Sequence, residues 1–302
     1  MIFHIGAKDD GKLLRTFLQE RGVSAALLAK LKRREGGMLL CGNPVTVRAR
    51  LSAGDVLELA IEDRVPPEHV VGRALEIRIL YQTPDLLVLN KAAGMPTHPS
   101  HGHYEDTLAN ALVYHFSTPE QPFCPRFINR LDRNTTGAVL VARHALSAAA
   151  LSQAMAAGRI KKTYLALAHG SLSLPFTLTT GIRRQRESVI FREICPVGEG
   201  DLAGTLVEPL ATSNGVTLVR LTPDTGRTHQ LRVHMASIGH PLLGDDLYGR
   251  ADGFPRHALH AATLVFPTTG QGECVTVRAP LPADMYRIIQ DMGEEVLSLV
   301  GE

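Results

Sequence analysis

Apolar residues over the first sixty positions recur first at a helical period and then at a strand period. Leu13, Leu14, Phe17 and Leu18 stand at helical spacing, and Gly22 supplies the stop. Ser24 is placed to cap a second helix with Leu27, Leu28 and Leu31 on its apolar side, while Lys30, Lys32, Arg33 and Arg34 project elsewhere. Gly36-Gly37 ends that helix. Residues 38–41, a turn at Gly42-Asn43-Pro44, the alternating Val45 and Val47, a turn at Gly54-Asp55 and residues 56–59 then read as short strands. Pro66-Pro67 marks a linker.

From Leu75 onward strands dominate. Leu75, Ile77 and Ile79 alternate with more polar neighbours, and Leu86-Leu-Val-Leu89 is a continuous apolar run of the kind a strand buried on both faces carries. Residues 138–142 repeat that signature, 145–157 read as a helix closed by Gly158, and 160–168 as a strand bearing Tyr164. Val216, Leu218 and Arg220 lead into a turn at Pro223-Asp-Thr-Gly226, after which 228–238 reads as a helix ending at Gly239. This irregular order predicts an α+β fold with a mixed, mainly antiparallel sheet, and not the regular alternation of a doubly wound sheet. The expected boundaries are a small α/β domain at 1–64 and a larger domain at 72–302.

At 302 residues the chain can bury a large core and has room for two domains. No stretch approaches the roughly 20 apolar residues of a membrane span, and the first residues lack the organisation of a signal peptide, so the cytoplasm is the expected location. Cys41, Cys124, Cys195 and Cys274 lie far apart, which suggests neither a thiolate metal site nor a disulfide framework. The net charge of +2 says little, but its distribution says more. Between Arg21 and Arg50 seven basic residues face one acid, Glu35. A concentration of that kind is either a solvated helix face or a phosphate-binding surface.

The candidate chemistry centres on Ile128-Asn-Arg-Leu-Asp-Arg-Asn-Thr-Thr-Gly137, where Asp132 lies between Arg130 and Arg133 ahead of an apolar strand. Opposite charges nearby favour the ionised carboxylate, which suits a nucleophile or base. A structural ion pair at a strand entrance is the plainer account of the same residues. Other motifs decide between them: Lys162-Thr-Tyr164, Gly226-Arg-Thr-His-Gln-Leu-Arg-Val-His234, Gly244-Asp-Asp-Leu-Tyr-Gly249 and Leu259-His-Ala261.

Together, and in this order after Asn90-Lys91, Gly94 and His98-Pro99, these motifs resemble the RluA-type family of RNA pseudouridine synthases over about residues 75–281. Ala92 and Thr136 are mild departures from the family pattern, and neither is a catalytic position. The two helices and short strands at the N-terminus more weakly resemble the RNA-binding domain of ribosomal protein S-four. The resemblance implies a cofactor-free isomerisation of uridine in structured RNA, ribosomal or transfer, by a monomeric enzyme. It implies Asp132 as the catalytic carboxylate, Arg227 as the arginine that pairs with it, and Tyr164 stacked on the target uracil. Arg130 either fills the gap left by the extruded base or is a second ion-pair partner for Asp132. Lys30, Lys32, Arg33 and Arg34 become the RNA-binding face of the small domain. Arg232 and His234 are read as packing or RNA contacts, and Asp245 and Tyr248 as shaping a loop.

Three other functions fit less well. His98, His101 and His103 are close in sequence, but the pattern of a zinc nucleobase deaminase is missing and no metal site is expected. A glycosidase requires two paired carboxylates, where the motifs supply one. A non-catalytic RNA-binding module gives no reason to retain Asp132, Tyr164 and Arg227 together.

Overall fold

The computed structural model describes residues 1–61, 70–268 and 273–300. The Pro66-Pro67 linker expected from the sequence lies outside them. In the N-terminal part, β1 (Ile2–His4), α1 (Leu14–Glu20), α2 (Ala25–Arg33), β2 (Met38–Leu40), β3 (Asn43–Pro44) and β4 (Val56–Leu59) form two helices against a four-stranded sheet of order β1-β4-β2-β3. The Ser24 side chain accepts from the Leu27 amide, so α2 begins where the sequence placed its cap. Leu14, Phe17, Leu18, Leu27, Leu28 and Leu31 are all buried in one cluster with Leu57 and Leu59.

The remaining elements are β5 (Ile79–Gln82), β6 (Leu86–Lys91), α3 (Leu108–Phe116), β7 (Arg126–Phe127), β8 (Thr136–Ala142), α4 (Ala145–Ala156), β9 (Lys161–His169) and β10 (Phe176–Arg184). They continue with β11 (Arg192–Cys195), β12 (Asp201–Ser213), β13 (Val216–Pro223), α5 (Gln230–Ser237), β14 (Leu259–Pro267), β15 (Cys274–Arg278), α6 (Ala283–Met292) and α7 (Glu294–Val300). The strands join into an eleven-stranded sheet whose main path is β11-β10-β12-β13-β9-β14-β8-β6-β5. Its pairings are antiparallel except β14 with β8, so the fold is α+β with a mainly antiparallel sheet.

The apolar runs of β6 and β8 follow from burial on both faces. Leu87, Leu89, Val139 and Val141 enter one core, while Leu86, Val88, Ala138 and Leu140 enter another on the opposite side. Alanine-rich α4 closes the second core with Leu151 and Ala154 and sends Leu146 into the N-terminal cluster. Residues 75–78 depart from the expected strand. Leu75 accepts from His115 Nε2 at 2.8 Å and the Arg73 amide donates to Asn110, so this segment is held on α3 and the sheet begins only at Ile79.

The parallel pairing of β8 with β14 sets Gly137 opposite Ala261 with φ at 109°. A Cβ there would lie 2.3 Å from the Ala261 carbonyl oxygen. Gly137→Ala should therefore destabilise the protein by about 2 kcal/mol or more, since both the backbone conformation and the strand approach must change. Chemical denaturation of the two proteins measures this, and equal stabilities would show that the strands separate at little cost.

Candidate active site

Asp132 lies in the loop between β7 and β8, and buried polar side chains pin that loop residue by residue. Asn129 accepts from the Leu140 amide at 2.7 Å and donates to the Ala138 carbonyl. Thr97 Oγ1 donates to the Leu131 carbonyl at 3.0 Å and accepts from the Leu131 amide. Lys91 Nζ, 1% exposed at the end of β6, donates to the carbonyls of Ala92, Met95 and Arg133 at 2.8, 2.8 and 2.9 Å. Arg256 Nη1 donates to the Asn134 carbonyl, and Thr135 Oγ1 bonds His257 Nε2. The backbone on either side of Asp132 is thus fixed, while its side chain keeps 27% of its surface open to solvent.

The arginine paired with Asp132 is Arg232, not Arg227. Arg232 lies within α5, and its Nη1 stands 3.4 Å from Asp132 Oδ2. Its Nε and Nη2 make a bidentate fork onto the two oxygens of Asp245 at 2.8 and 2.7 Å, with Asp245 fully buried. Burial alone would raise the Asp245 carboxyl, but the Arg232 fork and the Tyr248 amide outweigh it and hold it below the ordinary carboxylate value. Arg227 precedes α5 and is exposed. Its Nε donates to the Leu202 carbonyl, and Nη1 lies 3.8 Å from Asp201. The reason is local: the turn folds on Gln230, whose amide group ties Thr225 and the Arg227 amide to Gly204 and Thr205, so the chain enters the helix only after Arg227 has passed the site.

The flanking arginines do not pair with Asp132 either. Arg133 donates to His103, whose other ring nitrogen lies 2.5 Å from Asp106. Arg130 is exposed, and its charge is felt at His98, which burial and then that charge depress. Tyr164 sits on central β9 opposite Ala261 and Leu221, 8% exposed. Its hydroxyl is pushed well above the usual tyrosine value by burial and then by the Asp132 charge, so it is a neutral phenol. Burial lowers Lys91 to about 7, with Asp132 opposing that fall. His229, whose φ of 58° is unusual for a non-glycine residue, places Nε2 3.9 Å from Asp132 Oδ2. Lys91, Tyr164, His229, Arg232 and His257 therefore surround one carboxylate and all feel its charge.

On α2 the side chains of Lys30, Lys32 and Arg33 are exposed, whereas Arg34 donates from Nη1 to the Ala60 carbonyl and is partly committed to the fold. His234, in α5, is buried between Thr205 and Thr180 and is a packing residue. From the sequence Arg232 is expected to pack or to contact RNA, and its pairing with Asp132 is not foreseen although the sequence carries a signal. It is a full charge among Leu231, Val233 and Met235, and such a charge requires a partner. Lys91 carries a similar one, closing a strand that opens with four apolar residues.

A family model described as RNA pseudouridylate synthase matches residues 85–237, the segment that carries Asp132, Tyr164 and Arg232. The chain belongs to that family, in its RluA-type branch, and is an RNA pseudouridine synthase. It is 34% identical over 279 residues to the uncharacterized RNA pseudouridine synthase YjbO of Bacillus subtilis, covering 92% of this chain and 98% of that one. To ribosomal large subunit pseudouridine synthase D of Zymomonas mobilis it is 35% identical over 238 residues, 74% and 75% of the two chains. Among solved structures, human RNA pseudouridylate synthase domain containing 1 is similar at a TM-score of 0.58 and 32% identity, over 70% of this chain and 86% of that one.

Arg232→Ala should cost about 3–5 kcal/mol, because it leaves the Asp245 carboxylate buried and unpaired, whereas Arg227→Ala should be close to neutral for stability. Denaturation of both variants decides the assignment, and the reverse order of stabilities would overturn it. Acid sensitivity follows from two buried imidazoles, His257 held at about 3 and His260 at about 4, each chiefly by burial. Their folded values lie below the ordinary 6.5, so the unfolded chain binds the extra protons. Stability should be fully present above about 6.5 and fall as pH drops toward 4. Thermal melts from pH 8 to 4 test this: His260→Gln should flatten the slope, and parallel curves for variant and wild type would refute the linkage.

Proposed function

We propose that the protein isomerises uridine to pseudouridine in ribosomal large-subunit RNA, with Asp132 as the reacting carboxylate. The observation that carries this reading is a part-exposed carboxylate beside the buried Arg232 and Lys91, two imidazoles and a neutral tyrosine, on a loop pinned by buried hydrogen bonds. The names of relatives that act on the large ribosomal subunit support the choice of RNA. Two routes start from Asp132. In one, its oxygen bonds the anomeric carbon as the bond to the uracil nitrogen breaks and the electron pair leaves with the base. In the other, it takes the ribose 2-prime hydrogen as a proton and the same bond breaks to leave a glycal. The uracil anion then turns and its carbon five bonds the anomeric carbon, displacing the Asp132 oxygen in the first route or, in the second, adding to the glycal as the proton taken by Asp132 returns to the 2-prime carbon. Carbon five then loses its proton and the freed ring nitrogen gains one. Product and substrate are isomers, so the stoichiometry requires no cofactor.

Tyr164 offers an uncharged ring against which the uracil can lie, and its protonated hydroxyl is a donor. Arg130, exposed beside the site, is assigned to the space left by the extruded base, since a planar guanidinium stacks and hydrogen-bonds as a base does. Arg227, exposed on the turn that precedes α5, is reassigned from pairing with Asp132 to contacting RNA. Residues 1–64 are taken as an RNA-binding domain and 72–302 as the catalytic one, acting together as a monomer in the cytoplasm. On α2, Lys30, Lys32 and Arg33 form the phosphate-contacting face.

Asp132→Asn should abolish single-turnover isomerisation of a cognate RNA while leaving its affinity within about threefold, since the amide keeps the shape but is neither nucleophile nor base. Substantial turnover by the variant would remove Asp132 from the chemistry. Replacing Lys30, Lys32 and Arg33 with alanine should weaken RNA binding and flatten its salt dependence by roughly 0.7 to 0.9 in logarithmic slope per lost phosphate contact. An unaltered slope would mean that the face is only solvated.

A further inference from the structure

Tyr248 joins two parts of the protein that are distant in sequence. Its hydroxyl accepts from the Arg192 amide at 2.9 Å, at the start of β11, and bonds His229 Nδ1 at 2.8 Å, beside Asp132. Its ring lies edge-on to both Phe191 and His229, with the Arg232 guanidinium 5.2 Å from its centroid. A hydroxyl that accepts from Arg192 and gives its one hydrogen to Nδ1 leaves the His229 proton on Nε2, directed at Asp132. The other tautomer would turn a lone pair toward the carboxylate, so the electrostatics select the first. Tyr248 thus sets both the rotation and the tautomer of the imidazole nearest the reacting group.

What Tyr248 holds on its other side is a basic hairpin, β10–β11. Its residues 183–192 carry Arg183, Arg184, Arg186 and Arg192 against one acid, Glu187. Arg183 is paired with Glu193 and Glu199, and Arg192 turns onto the carbonyls of Val189, Ile190 and Phe191, giving the turn a fixed shape. Arg184 and Arg186 remain exposed, with no acidic partner among the described residues. Arg184 shares a strand face with Thr180, which bonds His234 of α5, so it lies on the active-site side of the sheet and directly opposite Arg192. Two like charges across a ladder repel unless an anion joins them.

We propose that Tyr248 is a positioning residue that latches this hairpin to the catalytic centre, so that RNA backbone phosphates held by Arg184 and Arg186 are set in register with Asp132. The inference rests on the reading of the protein as acting on structured RNA. Phosphate contacts fix where a duplex sits without reading its sequence, and register is lost if the contacting arm moves relative to the reacting group. A displacement of about 1 Å is enough to slow the chemistry by roughly a hundredfold.

The test separates binding from chemistry with Tyr248→Phe, which keeps the ring and removes both hydroxyl bonds. At saturating ribosomal RNA the single-turnover rate should fall at least tenfold, with affinity within twofold of wild type. Arg184→Ala/Arg186→Ala should weaken binding, reduce its salt slope and slow the saturated rate. In the Tyr248→Phe background the same pair should still weaken binding but change the rate by less than 1.5-fold, because an unlatched arm no longer guides the reaction. An unchanged rate in Tyr248→Phe, or rate effects that multiply in the combined variant, overturns the latch. Wild-type protein inactive on the same RNA would instead count against the proposed substrate. Hydrogen exchange on the wild type gives an independent reading. RNA should slow exchange of 185–192 and 229–232 together, and protection of only one segment would also defeat the proposal.

Discussion

One buried guanidinium organises the active site. Arg232 is 3% exposed, and taking such a charge out of water is tolerable only if its donors are all met. Asp245, wholly buried, meets two of them in a fork, which leaves the third nitrogen facing Asp132 at 3.4 Å. The two acids stand in unequal relations to the same cation. Asp245 is saturated by Arg232 and by the amides of Leu247 and Tyr248, so it anchors. Asp132 receives only the remainder and stays open on its other side. That inequality fits the role proposed for Asp132: positive potential lies close to it, and too few hydrogen bonds are made to quench it.

The same economy governs the backbone around it. Lys91 and Arg256, both buried beside the site, direct donors onto the main-chain carbonyls of Arg133 and Asn134, the two residues after Asp132. Arg256 is also forked onto Asp284, so the loop is tied through it to α6 at the far side of the sheet. These cations add positive potential without capping Asp132 itself. Gly137 then lets β14 approach β8, carrying His257 and His260 to Thr135 and Thr136 and closing the loop from its C-terminal end.

The elements that were legible in the sequence are those set by local rules. The cap at Ser24, the stops at Gly22 and Gly158, and the two-sided burial of 86–89 and 138–142 depend on neighbours within a few residues. The family resemblance carried by the motif order sufficed to mark Asp132 and Tyr164 as candidates, because several such motifs are rarely met in that order by chance. What the chain could not disclose is which of several arginines would reach Asp132. Arg130 and Arg133 are its neighbours in sequence, yet the loop turns them outward, and Arg227 lies five residues from Arg232 but on the wrong side of a turn built around Gln230. Proximity along the chain is a poor guide once the backbone leaves regular structure. The better guide was polarity out of place, a full charge inside an apolar helix or at the end of a buried strand.

On the proposed mechanism the chemistry would need little from the protein at the moment of reaction. Four buried side chains around Asp132 are already engaged: Lys91 on three carbonyls, Arg232 on Asp245, Thr97 on Leu131, Thr135 on His257. None has to reorient when a base enters, and the cost of organising them was met on folding, at the expense of burying several charges. The open face of Asp132 is the one side left for a ligand to complete. On the proposed reading, a flipped nucleoside that covers it would remove the remaining water and strengthen the attraction to Arg232, so that substrate binding itself would finish the electrostatic environment of the carboxylate.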